Sequence, residues 1–148
     1  NKEERIEKYF YCLMGDGELN EGNVWEAVML LTKNKLSNVI CIVDRNNIQI
    51  DGPTEIIMPL EPLAHKFETF NMNVIEINGH DIRQISNAID SAKVNKLKPT
   101  VIIAHTVPGK GYYQIEGDYK WHGKAPNADE ANQAFEDMRT LYGQLHNS

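Results

Sequence analysis

The sequence predicts an α/β fold, a parallel sheet with helices on both faces. Three observations carry this. Short apolar runs at Tyr9–Met14, Val39–Val43, Asn73–Ile77 and Thr100–Ala104 have the composition of strands, the first two as continuous as strands buried on both faces. Segments of helical character separate them, and strands alternating with helices imply parallel pairing through crossovers. Turn residues punctuate the runs, as Gly15-Asp16-Gly17 after the first and Asn78-Gly79 after the third.

Taken in order, Asn1–Lys8 is polar and reads as the tail of a helix. The first strand follows and ends at Gly15. A helix is expected over Asn20–Lys33, because Val24, Ala27, Val28 and Leu31 fall on one stripe. After the second strand, Asp44–Thr54 is a polar loop with an Asp51-Gly52-Pro53 turn. Pro62–Phe70 is a short helix. Asp81 is placed to cap a helix running to about Lys96. Beyond the fourth strand, Thr106–Asn127 is rich in Gly, Pro and aromatics and lacks periodicity. Asp129–Leu145 is helical.

Composition bounds the function. With 148 residues and 16.9 kDa the chain is the size of one ordinary domain. Its 41% apolar content supports a packed core and argues against disorder. The longest apolar run, Tyr9–Met14, is far too short for a membrane helix. The net charge of −6, with scattered basic residues, argues against a nucleic-acid partner. Cys12 and Cys41 lie inside apolar runs and read as buried thiols of a reducing, cytoplasmic compartment.

In a parallel sheet the ligand crevice lies at the carboxyl ends of the strands. Here those ends carry Gly15-Asp16-Gly17-Glu18 and Asp44-Arg45-Asn46-Asn47-Ile48. One crossover brings the two loops side by side. Asp16 offers a carboxylate, Asn46 an amide carbonyl, and Ile48 a backbone carbonyl. Mg²⁺ takes few protein oxygens and fills its remaining positions with phosphate and water. Gly15 and Gly17 allow a backbone to approach a phosphate closely, and the following helix points its positive end at the crevice. A metal-bridged diphosphate site is therefore expected. Other phosphate motifs fail on spacing. A GxGxxG motif needs glycine where Asn20 stands, and a P-loop needs Gly at 104 and Ser or Thr at 111, which are Ala104 and Gly111. By itself GDG reads as an ordinary strand-ending turn; the second loop, at the next strand end, changes the balance.

GDG, residues 18–45, then NN resembles the thiamine diphosphate signature. The wider segments GDGELNEGNVWEA (15–27), IVDRNNIQIDG (42–52), HTVPGKGYY (105–113) and WHGKAPN (121–127) are similar to transketolases, most closely to the N-terminal subunit of two-subunit bacterial enzymes. The resemblance implies the thiamine diphosphate-binding fold, with 1–148 as part of the N-terminal, diphosphate-binding domain and its upstream portion missing. It implies thiamine diphosphate with Mg²⁺, for which Ca²⁺ or Mn²⁺ can substitute. Asp16, Asn46 and Ile48 become the metal ligands. Gly15, Asp16, Gly17, Glu18, Asn46, Ile48 and His122 become cofactor-binding residues, Gly17 through its backbone.

His122 is further implied to lie beside the reacting carbon, where a His suits proton exchange near neutral pH. Glu21 and Glu26, about 140° apart on a helix, are either solvated acids or members of an interface carboxylate network near the aminopyrimidine. Lys110 is a weak phosphate candidate. His65, His80 and His105 read as structural, and Trp25 and Trp121 as packing or interface aromatics. The implied reaction moves a two-carbon ketol unit from a ketose phosphate to an aldose phosphate. The implied partner is a pyrimidine-binding C-terminal subunit, in a hetero-oligomer with the cofactor at the interface. A deoxyxylulose-phosphate synthase, a non-catalytic homologue and a dehydrogenase E1 subunit are the alternatives.

Overall fold

The computed structural model describes residues 8–112 and 114–146. The expected helical tail at the start and Tyr113 lie outside the described residues. Four parallel strands form the sheet: β1 (Phe10–Gly15), β2 (Val39–Arg45), β5 (Asn73–Asn78) and β6 (Thr100–His105), in the order β1-β2-β6-β5. Between β2 and β5 the chain makes a two-residue ladder, β3 (Ile48–Gln49) against β4 (Gly52–Pro53), with Ile48 opposite Pro53. The expected polar loop thus holds a small hairpin. The helices are α1 (Gly22–Lys33), α2 (Thr54–Ile57), α3 (Leu63–Thr69), α4 (Ile82–Val94) and α5 (Ala128–His146).

Handedness explains the layering. From β1 to β2, and from β2 to β5, the chain moves the same way across the sheet. Right-handed crossovers then put α1 and α3 on one face. The return from β5 to β6 reverses direction and puts α4 on the other. The two cores follow the strand alternation. Cys41, Val43, Val101 and Ile103 pack with Val28, Leu63 and Phe67 on the α1/α3 side. Ile40, Ile102, Ile77 and Ala104 pack with Ala88 and Ala92 of α4. Trp25 stacks on Phe67 with centroids 5.2 Å apart and donates its indole N–H to the Leu19 carbonyl at 2.8 Å, so its expected packing role holds.

Local signals behave as their chemistry requires. Asp81 caps α4 by accepting from the Arg83 and Gln84 N–H groups. Asn127 and Glu130 bond reciprocally at the start of α5, a capping box.

Three expectations need correction. The run Tyr9–Met14 is not buried on both faces. Among the described residues β1 pairs only with β2, and Phe10, Tyr11, Cys12 and Leu13 are exposed, Leu13 by 73%. Among the described residues nothing covers its outer flank. Cys12 is consequently exposed and only Cys41 is buried. The helix expected from Asn20 starts at Gly22, because Gly17–Asn20 first makes a tight 3₁₀ turn.

Candidate active site

The register sets the site. Gly15 pairs with Asp44, and the Asp16 N–H bonds the Asp44 carbonyl at 3.1 Å, so both predicted loops leave neighbouring strand ends. Asp16 is 1% exposed. Its Oδ2 accepts from Arg45 Nη1 and from the Asn47 N–H, both at 2.7 Å. Its Oδ1 is buried and has no hydrogen-bond partner among the described residues. A buried carboxylate oxygen without a partner is costly. It is the atom a cation would be expected to take.

Asn46 lies between Arg45 and Asn47, both of which bond Asp16, and is fixed at both ends. Its Oδ1 accepts the Ile48 N–H at 3.0 Å, and its Nδ2 donates to Asp44 Oδ2 at 3.4 Å. One Oδ1 lone pair remains for a ligand. Asn47, between them, turns the loop with φ of 65°. The hairpin then presents Ile48. The Thr54 N–H bonds the Asn47 carbonyl at 3.0 Å, which makes the next pair, Ile48 with Pro53, a non-hydrogen-bonded one. The Ile48 carbonyl is therefore not used within the ladder, and Pro53 has no N–H to offer it. Among the described residues no three His, Cys, Asp or Glu side chains gather as a metal site. A set of one carboxylate, one amide and one carbonyl suits a hard cation that completes its shell from a diphosphate. The residues fit the expected group.

Gly17 lies against the hairpin, where an added Cβ would meet Gln49 Cβ at 3.2 Å. Glu18 is exposed and folds back, its carboxylate accepting the Gly15 N–H. Glu21 occupies the N-cap of α1 without a side-chain capping bond, and Glu26 lies on its exposed surface. Neither is bonded to the Asp16 cluster. His122 closes the 3₁₀ turn Tyr119–Trp121, with its N–H on the Tyr119 carbonyl at 2.9 Å. That turn lies beside β4, and so brings the Trp121-His122-Gly123 segment to the hairpin bearing Ile48.

The remaining candidates have local partners. Lys110 faces Glu116 at 3.7 Å, and His65 on α3 faces Glu68. His105 Nε2 meets Glu76 at 2.8 Å, and His80 Nε2 accepts the Val107 N–H at 2.8 Å. Trp121 lies under the Lys124 ammonium at 3.8 Å.

Sequence reasoning missed Arg45 as a component of the site. It is 1% exposed, and its guanidinium forks into four bonds. Nη1 donates to Asp16 Oδ2 and Thr54 Oγ1, both at 2.7 Å, and Nη2 donates to Glu55 at 2.6 Å and Glu61 at 2.9 Å. Burial pushes its pKa down, but the bonds to Asp16, Glu61 and Glu55 outweigh burial and hold it above the ordinary arginine value. For Glu55, desolvation works upward and is outweighed by the Leu60 N–H and Arg45. For Glu61 the Leu63 N–H is the main cause. Both carboxyls titrate below the usual range. A signal did exist. Arg45 follows Cys41 and Val43 at strand spacing, so it must point to the same buried side, where a cation needs acids.

The chain as a whole is similar to known proteins. Residues 1–144 match the family model described as transketolase, thiamine diphosphate binding domain. The chain is 41% identical over 138 residues to an apulose-4-phosphate transketolase subunit of Actinobacillus succinogenes, covering 93% of this chain and 50% of that protein. It is 41% identical over 112 residues to the 6-deoxy-6-sulfo-D-fructose transketolase subunit SqwG of a Clostridium species, covering 76% of this chain and 41% of that one. The crystal structure of transketolase from Campylobacter jejuni superposes with a TM-score of 0.83 at 39% identity, over 90% of this chain and 21% of that one. The chain thus spans about half the length of the Actinobacillus relative. A parallel α/β sheet with this match over nearly its whole length belongs to the transketolase family, in its thiamine diphosphate-binding domain.

Proposed function

We propose that this chain supplies the diphosphate and metal half-site of a two-subunit transketolase. The observation that carries the proposal is the buried Asp16 Oδ1, without a hydrogen-bond partner among the described residues, on a carboxylate whose other oxygen accepts the N–H of Asn47, between Asn46 and Ile48. Asp16 Oδ1, Asn46 Oδ1 and the Ile48 carbonyl hold Mg²⁺, or Ca²⁺ or Mn²⁺ in its place. The Gly15–Glu18 turn lies along the diphosphate, with Gly17 in backbone contact. His122 binds the diphosphate and moves a proton at the reacting centre. Glu21 and Glu26, exposed on the chain, meet the partner subunit in a carboxylate network. Thiamine diphosphate, when bound, supplies the nucleophilic carbon and the electron sink that ketol transfer requires.

The partner is the pyrimidine-binding subunit; in support of a second subunit, the names of the Actinobacillus and Clostridium relatives mark each as one subunit of a transketolase. The substrates are sugar phosphates or close analogues, the two-carbon unit passing from a ketose to an aldose, in the cytoplasm. This chain is inactive without its partner.

Calorimetry on the assembled complex tests the site. Thiamine diphosphate with Mg²⁺ should bind to wild type and bind far more weakly to Asp16→Ala. Equal binding by both would sink the assignment. Product analysis tests the reaction, and consumption of pyruvate in place of a ketose phosphate would assign a deoxyxylulose-phosphate synthase or a dehydrogenase E1 subunit.

A further inference from the structure

We propose that Arg45 is the positioning residue of the metal site, holding Asp16 so that only Oδ1 is presented to the cation. The inference rests on the site assigned above and goes beyond it, because Arg45 was given no role there. The geometry is one-sided. Arg45 Nη1 and the Asn47 N–H both occupy Oδ2, at 2.7 Å each, while Oδ1 has no partner among the described residues. A carboxylate held in this way cannot rotate to offer both oxygens without breaking two short bonds. It is set for single-oxygen coordination, the kind octahedral Mg²⁺ demands.

The guanidinium is itself anchored. All four N–H bonds of Nη1 and Nη2 are used, by Asp16, Thr54, Glu55 and Glu61. Glu55 also accepts the Leu60 N–H at 3.0 Å, and Glu61 accepts the Leu63 N–H at 2.8 Å at the start of α3. Asp16 is thus braced through Arg45 against the segment running from α2 to α3. The two flanking acids also offset the arginine's charge, which would otherwise repel a cation bound nearby.

Two effects of removing Arg45 oppose each other. Loss of a positive charge near a metal ligand strengthens cation binding by Coulomb attraction. Loss of the clamp frees the carboxylate and weakens binding. Groups behind a metal ligand typically change metal affinity about 10- to 100-fold, and the proposal requires the second effect to win.

The test is Mn²⁺ binding to the assembled complex with thiamine diphosphate present, followed by electron paramagnetic resonance, alongside thermal unfolding of the metal-free protein. Arg45→Met should weaken Mn²⁺ binding about 10- to 100-fold. Arg45→Lys, which keeps charge but not the fork, should fall between Arg45→Met and wild type. In Arg45→Lys, ketol transfer should recover at saturating metal, a change in the metal requirement and not in the maximal rate. Glu61→Gln, at a carboxylate 54% exposed, loosens the far end of the clamp with little threat to folding and should weaken Mn²⁺ binding a few-fold. If Arg45→Met does not fold, the Lys and Glu61 variants decide. Unchanged or tighter Mn²⁺ binding in the folded Arg45 and Glu61 variants, with Asp16→Ala abolishing it, overturns the positioning role alone. Unchanged binding in Asp16→Ala overturns the site and this proposal together.

Discussion

Replacing Asp16 by Ala should destabilise the metal-free protein before any question of catalysis arises. The substitution removes the acceptor of two short bonds, from Arg45 Nη1 and the Asn47 N–H, at a place where Asp16 and Arg45 are each 1% exposed. Breaking a buried ion pair by deleting one partner costs about 3–5 kcal/mol, because the survivor's charge is left in a poor solvent. Here Arg45 keeps Glu55 and Glu61, whose side chains are 39% and 54% exposed. The cost should therefore lie near the lower bound, about 3 kcal/mol. Urea unfolding of the assembled protein in excess chelator measures it, as a lower midpoint at unchanged slope. A change under about 0.5 kcal/mol, the size of an ordinary surface substitution, would show that Arg45 is satisfied by its other acids and that the buried pair contributes nothing. The same titrations with Mg²⁺ and cofactor at about 100 times their dissociation constants should raise wild type by about 2.7 kcal/mol. The variant should gain much less.

Three further outcomes are expected. Phe67→Ala removes a fully buried ring stacked on Trp25 and should cost about 3–5 kcal/mol by the same unfolding assay. A loss under about 1 kcal/mol would mean that α3 does not anchor the core. Glu55 and Glu61 titrate below the usual value of about 4.5, so their stabilisation is present above it and drains away as pH falls through their lowered values. The Glu55→Gln/Glu61→Gln double variant should then lose less stability between about pH 5 and pH 3. Equal losses would refute the pairing. Burial, with a smaller contribution from Cys12, pushes the Cys41 thiol up to about 11. Cys41 should stay unlabelled by a thiol reagent near pH 8, roughly the ordinary labelling condition, until the protein unfolds. Its contribution to stability should disappear as pH rises from its ordinary value of 9.0 toward 11.

How much of this was legible in the sequence varies by residue. The loops after Met14 and Val43 could be paired in advance because apolar runs ended by Gly15 and Asp44 place their strand ends on one edge. That a crossover makes them neighbours follows from chain topology alone. The candidate ligand atoms could be named, but not which oxygen of Asp16 lacks a partner among the described residues, since that depends on Arg45 and Asn47. Arg45's acids were hidden because Glu55 and Glu61 lie in a stretch with no clear period, and nothing local links them to β2. β1 misled for a different reason. An apolar run such as Phe10–Leu13 records what the strand's faces are suited to, and has the same composition whether or not a neighbour is present. Cys12 was misplaced with it.

The open flank of β1 has a consequence for its backbone amides. The Phe10 N–H bonds the Asn38 carbonyl and the Asp16 N–H bonds that of Asp44, so the even-numbered amides between them face β2. The odd-numbered ones, Tyr11, Leu13 and Gly15, face outward. Glu18 takes the last of these and seals the edge where it meets the Gly15–Glu18 turn. In hydrogen exchange, Tyr11 and Leu13 should exchange early while Cys12 and Met14 persist. A segment adding along this edge would slow Tyr11 and Leu13, and the carboxylate on Gly15 would stop it one residue short of Asp16.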